Sequence, residues 1–225
     1  MPLQNRVLPT GEIVAIPERG MFVGNRGIIH QPATRTILKR RWSTHAWITC
    51  VLEFRGRRRK VWQRRSWTEL FFLDEATSLA AGHRPCFYCR REDAKRFRAA
   101  WEKGNRTSNV LAPDMDAALH GERLASGKKL HPLPMPLEQL PDGVMVQAGQ
   151  QSFLIAGGKP LLWTPAGYRA VSGSLKDAKL LTPPSTVRAI SAGYRVVIHE
   201  SAGKLNAGRH SGAREARVRK PSSRN

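Results

Sequence analysis

The stretch Leu79-Ala-Ala-Gly-His-Arg-Pro-Cys-Phe-Tyr-Cys89 joins an apolar segment to two cysteines in a Cys-x2-Cys spacing. Residues 74–81 carry acids at their start and are followed by Gly82, which predicts a helix that ends at a glycine. Two cysteines at this spacing can bind one tetrahedral metal ion, because the turn between them points both sulfur atoms inward. The stretch therefore predicts a helix followed by a metal-binding knuckle, formed by Cys86 and Cys89.

The sequence on either side of the knuckle predicts further short elements. Runs rich in β-branched and aromatic residues, separated by turn residues, are typical of strands, and apolar residues at helical spacing indicate helices. The predicted elements are strands at 27–30, 46–54 and 59–63, a hairpin turn at Arg55-Gly56-Arg57, and helices at 90–102 and 113–124.

The composition changes after residue 125, which divides the chain into regions. Residues 126–141 are rich in proline and are expected to form a linker, and 142–200 combine short strands with tight turns. One helix is expected to interrupt these strands, with Ser185 as its N-cap. Residues 201–225 are rich in Gly, Ala, Ser and Arg, and are predicted to be disordered. We therefore expect an α+β protein with an N-terminal α/β metal domain (1–125) and a small β-rich module.

The cysteine count and the apolar runs restrict the compartment. Three cysteines are an odd number, which favours a metal site or free thiols in a reducing compartment over a disulfide framework. No apolar run approaches the ~20 residues that a membrane span requires. The first residues lack a basic segment followed by an apolar one, so we expect no secretory signal. These features predict a cytoplasmic protein without a membrane partner.

Residues 79–89 resemble the second half of the zinc-binding domain of Ada-type DNA alkylation-repair proteins. In that family an Ala/Leu-rich helix ends in Ala-Gly before Arg-Pro-Cys-x2-Cys, and similar domains are appended to some bacterial nucleases. The first half of the family pattern is a strand Gly-Ile-Phe that ends in Cys or His, followed by Arg-Pro-x-Cys. The sequence Gly27-Ile28-Ile29-His30-Gln31-Pro32-Ala33-Thr34 falls on this pattern, so the resemblance covers roughly residues 23–92.

The resemblance implies a zinc ion and a set of ligands. His30 takes the place of the first ligand, and Thr34, at the second ligand position, cannot replace a thiolate. Cys50 is the remaining cysteine, so the expected Zn²⁺ ligands are His30, Cys50, Cys86 and Cys89. His45 and His83 are alternative ligands.

The chain departs from the family pattern in two respects. The basic insertion between Thr34 and Leu70 is longer than in the family. The thiolate that the family methylates is its first ligand, and His30 stands there. Suicidal methylphosphotriester repair is therefore not expected, although Cys50 offers a substitute thiol.

The charge of the chain points to a polyanionic partner. The 225 residues contain 38 Lys+Arg and 17 Asp+Glu, which gives a net charge of +21. Residues 35–65 hold eleven of these cations and one acid, Glu53, beside several tryptophans. Cations interleaved with aromatic rings suit a nucleic acid, and the alternative is a solvated charged surface. The expected nucleic acid is DNA, and the residues expected to contact it are Arg55, Arg57, Arg58, Arg59, Lys60, Arg90 and Arg91.

Three acidic or imidazole side chains are candidates for catalysis. Asp116 and His120 recur with Arg123 at helical spacing on the helix at 113–124, and could form an acid/base or phosphate-handling site. Glu69 lies between apolar neighbours. The alternatives are an ordinary polar helix face for the first group and a structural pair with an arginine for Glu69.

The predicted function is a zinc-stabilised nucleic-acid-binding protein in a DNA-repair setting. One alternative is a metal-dependent nuclease or base-modifying enzyme that acts on DNA or RNA. Another is a structural or protein-interaction module.

Overall fold

The computed structural model describes residues 1–58, 61–62, 66–124, 130–203 and 205. The fold is α+β, as the sequence predicts. The helices are α1 (Glu75–Ala80), α2 (Arg91–Asn105), α3 (Ala112–Leu124) and α4 (Pro184–Ser191), with a short 3-10 helix at Leu137–Gln139. The strands are β1 (Arg6–Val7), β2 (Ile13–Val14), β3 (Phe22–Asn25), β4 (His30–Gln31), β5 (Thr36–Ile37), β6 (Ile48–Val51), β7 (Glu53–Phe54), β8 (Arg57–Arg58), β9 (Leu70–Phe72), β10 (Arg84–Pro85), β11 (Met145–Ala148), β12 (Gln151–Ala156), β13 (Lys159–Thr164), β14 (Gly167–Ala170) and β15 (Lys179–Leu180).

The N-terminal part is built on a six-stranded mixed sheet in the order β10-β6-β3-β9-β1-β2. Strand β3 pairs antiparallel with β6 and β9, whereas β10 pairs parallel with β6. Gly24 in β3 permits this close packing, because a Cβ atom there would lie 2.2 Å from the carbonyl oxygen of Ile48. Strand β6 is therefore held between β3 and β10.

The two faces of this sheet have different surroundings, because side chains alternate along a strand. Phe22, Leu70 and Phe72 pack into a hydrophobic cluster on one face. Val23 and Cys50 belong to a smaller cluster on the other face. The second face is the one that carries the cysteines.

Helix α1 confirms the prediction for residues 74–81. Asp74 caps its N-terminus by accepting a hydrogen bond from the backbone N–H of Thr77, at 2.9 Å. Gly82 follows its end with φ of +81°, a conformation that favours glycine. A Cβ on Gly82 would also lie 2.7 Å from Cδ of Arg123, so the side chain of Arg123 depends on the glycine for its space.

The start of α1 is tied to the C-terminal part by two buried acids. The Tyr168 hydroxyl donates to Oδ2 of Asp74 at 2.7 Å, and the Tyr194 hydroxyl donates to Oε1 of Glu75 at 2.7 Å. The guanidinium of Arg90 also lies 2.7 Å from Glu75. We call Asp74 and Glu75 the acidic pair.

The C-terminal part is an antiparallel five-stranded sheet in the order β14-β13-β12-β11-β15, followed by α4. Helix α4 begins at Pro184, with Pro183 at the N-cap position. The prediction that Ser185 is the N-cap is therefore wrong. Ser185 lies inside the first turn, where its backbone N–H and its hydroxyl donate to the carboxylate of Glu122 at 2.9 and 2.6 Å.

The two predicted modules share one hydrophobic core. Phe97 and Trp101 of α2 belong to the same cluster of buried residues as Val146 and Phe153 of the second sheet. Leu140, from the predicted linker, belongs to this cluster too. The domain limits at 125 and 142 remain predictions, but the regions pack as neighbours.

The start of the predicted disordered segment, 201–225, differs from the structure. Residues 200–203 are helical, and Ala202 is buried against the C-terminal sheet. Residues 204 and 206–225 lie outside the described part of the chain. Among the helices that the structure describes, none combines the length and the apolar character needed to cross a membrane.

Candidate metal centre

The cysteines predicted as ligands come together at one edge of the first sheet. The Sγ atoms of Cys50, Cys86 and Cys89 all lie within 4.8 Å of one another, so the three thiols could hold a metal ion. In the part of the chain that the structure describes, this is the one group of three or more His, Cys, Asp or Glu side chains that could hold a metal ion.

Pairing between β6 and β10 produces this arrangement. Pro85 lies opposite Thr49, and the backbone N–H of Cys86 donates to the carbonyl oxygen of Thr49 at 3.0 Å. Cys86 is thereby placed beside Cys50, which follows Thr49 on β6. Cys89 lies at the end of the knuckle, just before α2 begins at Arg91, and its Sγ atom joins those of Cys50 and Cys86.

The thiols interact strongly with one another. Hydrogen bonds from Cys50 and Cys89 lower the pKa of the Cys86 thiol. The hydrogen bond to Cys86, and then that to Cys89 and burial, raise the pKa of Cys50. These opposite shifts favour a thiolate at Cys86 over one at Cys50. A bound cation would take the place of the shared protons, because metal ligands must be deprotonated.

His30 does not join this group. Its Nδ1 lies 2.8 Å from Oγ1 of Thr68, and its ring stacks on Trp62 at a centroid distance of 5.4 Å. His30 lies on strand β4, which pairs with β5 in a separate two-stranded sheet. Of the four predicted ligands, the structure therefore brings together the three cysteines and not His30.

The two alternative histidines also lie elsewhere. The ring of His45 stacks on that of His120 at 3.7 Å between centroids. Nε2 of His83 accepts a hydrogen bond from Nε of Arg26 at 3.3 Å, and its ring packs against Phe72. Neither His45 nor His83 is part of the three-cysteine group.

A cavity of about 770 Å³ lies beside the cysteines. It includes the second face of the first sheet and is lined mainly by apolar and aromatic residues, among them Val23, Ile48, Val51, Leu52, Phe54, Val61, Trp67, Phe71 and Tyr88, together with the three cysteines. Arg6, Arg19 and Glu69 supply charged groups to its lining.

Glu69, one of the catalytic candidates, is buried at 2% exposure on this cavity. Its Oε2 accepts a hydrogen bond from the backbone N–H of Trp62 at 3.1 Å, and its own carbonyl accepts from the Trp62 indole. A backbone amide therefore holds the Glu69 carboxylate in place. The alternative predicted from the sequence is a structural pair with an arginine.

The basic hairpin lies directly next to the knuckle. Strands β7 and β8 form the predicted hairpin, with Arg55 at φ of +54° and Gly56 at +71° in its turn. The return strand is Arg57–Arg58, earlier than the predicted 59–63. Arg59 and Lys60 lie outside the described residues.

Aromatic contacts join the hairpin to the knuckle. Phe54 packs edge-on against Tyr88 at 5.1 Å, and the guanidinium of Arg55 lies 5.2 Å from the Phe54 ring. Tyr88, which stands between the cysteines of the knuckle, is 70% exposed. The arrangement presents a cation and two aromatic rings beside the cysteines.

Arg90 does not belong to this exposed surface, contrary to the prediction. It is 4% exposed, and its Nη2 lies 2.7 Å from Glu75 and 2.9 Å from Asp93. Its charge is neutralised inside the protein, so it cannot meet a phosphate. Arg91, the next residue, is exposed at the start of α2.

Asp116 and His120 do not form an open acid/base site. Both carboxylate oxygens of Asp116 accept from the buried guanidinium of Arg84, at 2.8 and 2.7 Å. His120 instead contacts His45 and Trp42. Burial, followed by the nearby charges of His45 and Arg123, lowers the pKa of His120.

Sequence reasoning missed a buried arginine, Arg26, which lies near Trp47 and His83. Its position in Gly24-Asn25-Arg26-Gly27 is typical of an exposed turn, so the local pattern gave no sign of its burial.

No protein-family model, curated protein or solved structure matches this chain. The resemblance to the Ada-type zinc-binding domain therefore stays a prediction that rests on the residues quoted for it.

Proposed function

We propose that the protein is a zinc-stabilised nucleic-acid-binding protein, with DNA as its expected partner. The observation that carries this proposal is the contact between the three-cysteine group and the basic hairpin through Phe54 and Tyr88. A metal at the cysteines would fix the knuckle, and with it the surface formed by Arg55, Phe54 and Tyr88.

Zinc is the metal that suits these ligands best. Thiolates are soft ligands, and the Cys-x2-Cys spacing with a further cysteine is typical of tetrahedral zinc sites. Cys50, Cys86 and Cys89 would hold the ion, which would join β6 to the start of α2. The zinc would thus connect two segments that are distant along the chain.

The surface next to this group has the chemistry that single strands of nucleic acid require. Bases stack on aromatic side chains, and arginines bind the phosphates between them. Tyr88 is exposed for such stacking, and the chain carries a net charge of +21. The adjoining cavity, at about 770 Å³, falls in the range of about 300–1,000 Å³ that is typical of small-molecule sites.

A salt series tests the nucleic-acid proposal. Fluorescence anisotropy with labelled single-stranded and duplex DNA would compare wild type with a triple alanine variant of Arg55, Arg57 and Arg58. Each neutralised phosphate contributes a slope of about 0.9 on duplex DNA or 0.7 on a single strand to the log–log salt dependence. We expect the variant to bind more weakly and its slope to be smaller by roughly two to three.

A matched control removes three exposed cations elsewhere, at Arg98, Lys103 and Arg169. Both triple variants lose the same charge, so a smaller effect in the control locates binding at the hairpin. Equal affinity and slope in wild type and hairpin variant would refute the proposal.

A second candidate function is supported by the position of Glu69. Its carboxylate and the three cysteines line the same cavity. Zinc with three protein ligands retains one position for water and lowers the pKa of that water, while a nearby glutamate can hold or release a proton. This arrangement suits a hydrolytic or base-modifying enzyme.

Mass spectrometry of DNA and RNA oligonucleotides incubated with the zinc-loaded protein tests this candidate. Glu69→Gln should abolish any product and keep nucleic-acid binding. If wild type leaves all oligonucleotides unchanged, or Glu69→Gln remains active, the enzyme candidate is wrong.

A further inference from the structure

Two arginines, Arg26 and Arg123, are buried in the protein interior, and both contact Trp47. Arg26 is 2% exposed and Arg123 is 7% exposed. The guanidinium carbon of each lies 3.9 Å from the Trp47 ring. Two like charges are thus held close together in the interior.

Only some of the nitrogen atoms of the Arg26 guanidinium have hydrogen-bond acceptors among the described residues. Nη1 donates to the carbonyl oxygen of Gly11 at 2.9 Å, and Nε donates to Nε2 of His83 at 3.3 Å. Within the described ranges, Nη2 is buried and has no hydrogen-bond partner. Both acceptors of Arg26 are neutral groups.

Arg123 is in a similar position. Nη1 donates to the carbonyl oxygen of Gly82 at 3.0 Å, and Nη2 donates to that of His45 at 3.1 Å. Its Nε is buried without a partner among the residues that the structure describes. The nearest acids, Asp116 and Glu122, are bound to Arg84 and Ser185.

The electrostatics agree with this geometry. Burial, followed by the charges of Arg123 and Arg41, lowers the pKa of Arg26 to about 9. Burial also lowers the pKa of Arg123 to about 10, against the opposing effect of Asp116 and Glu122. Cation–π contacts offset a part of the desolvation cost, but they do not neutralise the charges.

These side chains surround a cavity of about 160 Å³. We call it the arginine pocket, and its main lining residues are Arg26, Arg41, Trp42, Trp47, His120 and Arg123. Nδ1 of His120 is a further buried nitrogen that lacks a partner in the described part of the chain. No acid is among the described residues that line this cavity.

We propose that the arginine pocket binds a phosphate group. Arginines bind phosphate oxygens through paired N–H donors, and a tetrahedral dianion can accept from several directions at once. Three arginines supply the compensating charge. Typical small-molecule sites have volumes of at least ~300 Å³. The arginine pocket is smaller, so it would hold the phosphate, and any group attached to the phosphate would lie outside it.

The attached group would meet Trp42, which lines the pocket and is 38% exposed. The phosphate could be free, or it could be the terminal monoester of a nucleotide chain. Both sources share the chemistry that the pocket recognises. This inference does not depend on the proposed nucleic-acid function, which rests on a different surface.

Titration of the full chain with inorganic phosphate at constant ionic strength tests the proposal. Thermal unfolding should shift upward in a saturable way, because a ligand that binds only the folded state stabilises it. Acetate at equal ionic strength should have no such effect. Tryptophan fluorescence should change over the same concentration range, because Trp42 and Trp47 line the pocket.

Two variants locate the site. Arg26→Met should abolish the response to phosphate. Arg41→Gln, at an exposed position on the lining, should weaken phosphate binding about tenfold without unfolding the protein. Arg98→Gln removes an exposed charge on α2 and should bind like wild type. Arg41→Gln decides the outcome if Arg26→Met fails to fold.

A comparison of a 5′-phosphorylated dinucleotide with its 5′-hydroxyl form identifies the source of the phosphate. Tighter binding of the phosphorylated form than of inorganic phosphate indicates a terminal monoester, and binding of inorganic phosphate alone indicates the free ion. Absence of any phosphate response in wild type, or an equal response in Arg41→Gln and wild type, would overturn the proposal.

Discussion

The acidic pair and the arginine pocket both hold buried charges, but they differ in how those charges are satisfied. Oδ1 of Asp74 accepts from Thr77, and Oδ2 accepts from Tyr168 and from the backbone N–H of His199. Glu75 accepts from Tyr194 and also meets the guanidinium of Arg90. Every carboxylate oxygen of the acidic pair has a partner inside the protein.

The arginine pocket lacks such partners. Arg26 and Arg123 donate to neutral acceptors and, among the described residues, each keeps one nitrogen without a partner. The two sites therefore differ in their counter-charges. The proposed phosphate would supply the negative charge that is absent from the described lining of the arginine pocket.

The largest effect is expected at the three-cysteine group, whose partner would be a metal. Structural zinc contributes roughly 10–16 kcal/mol of apparent binding free energy at neutral pH, and this adds to folding. Cys86→Ser should therefore lose the metal and most of the stability, as followed by metal analysis and thermal unfolding. Acidification should release the metal, because protons compete for the thiolates. Unchanged melting of Cys86→Ser would contradict this prediction.

The acidic pair should show the next largest effect. Glu75→Ala removes the carboxylate that lies 2.7 Å from buried Arg90 and that accepts from Tyr194. Loss of one member of a buried ion pair costs about 3–5 kcal/mol. Denaturant unfolding should show this decrease, whereas Glu138→Ala, at an exposed acid, should change stability by about 0.5 kcal/mol or less.

A smaller loss is expected when one neutral donor is removed from the acidic pair. Tyr168→Phe deletes the hydroxyl that donates to Asp74 at 2.7 Å and leaves the ring in place. Because Oδ2 of Asp74 still accepts from His199, the cost should be about 1–2 kcal/mol. Denaturant unfolding measures it, and a loss as large as that of Glu75→Ala would show that the two acids do not act as described.

The smallest effect should have the opposite sign. Arg26→Met replaces an unsatisfied buried charge by an apolar side chain of similar length, and such replacements are often neutral or stabilising. In phosphate-free buffer we expect the free energy of unfolding to rise by up to about 1 kcal/mol. A fall of similar size in denaturant unfolding would place Arg26 with the acidic pair, as a residue that serves the fold.

Local features of this fold could be predicted from the sequence, because they depend on neighbouring residues. Gly82 indicates the end of α1, and Arg55-Gly56 indicates the hairpin turn. The knuckle spacing predicts that Cys86 and Cys89 share a site, and the group includes both. Each of these features requires knowledge of only a few residues along the chain.

Features that depend on distant residues were beyond the sequence. His30 matched a ligand pattern but is not part of the group, whereas Cys50, which the sequence predicts as a ligand, reaches the knuckle because β6 pairs with β10. Arg90 stood in a basic run and looked exposed, although Glu75 binds it in the interior. Asp116 is a catalytic candidate by its helical spacing with His120, but both of its carboxylate oxygens accept hydrogen bonds from Arg84.

The parallel pairing of β6 with β10 also has a consequence for the order of folding. Cys50 and the knuckle meet only after the long segment between these strands has closed into a loop, and such non-local contacts form slowly. Before that closure, only Cys86 and Cys89 lie close enough along the chain to bind one zinc ion together. Completion of the three-sulfur group would therefore report that β6 and β10 have paired, and the time course of zinc uptake would follow this step of folding.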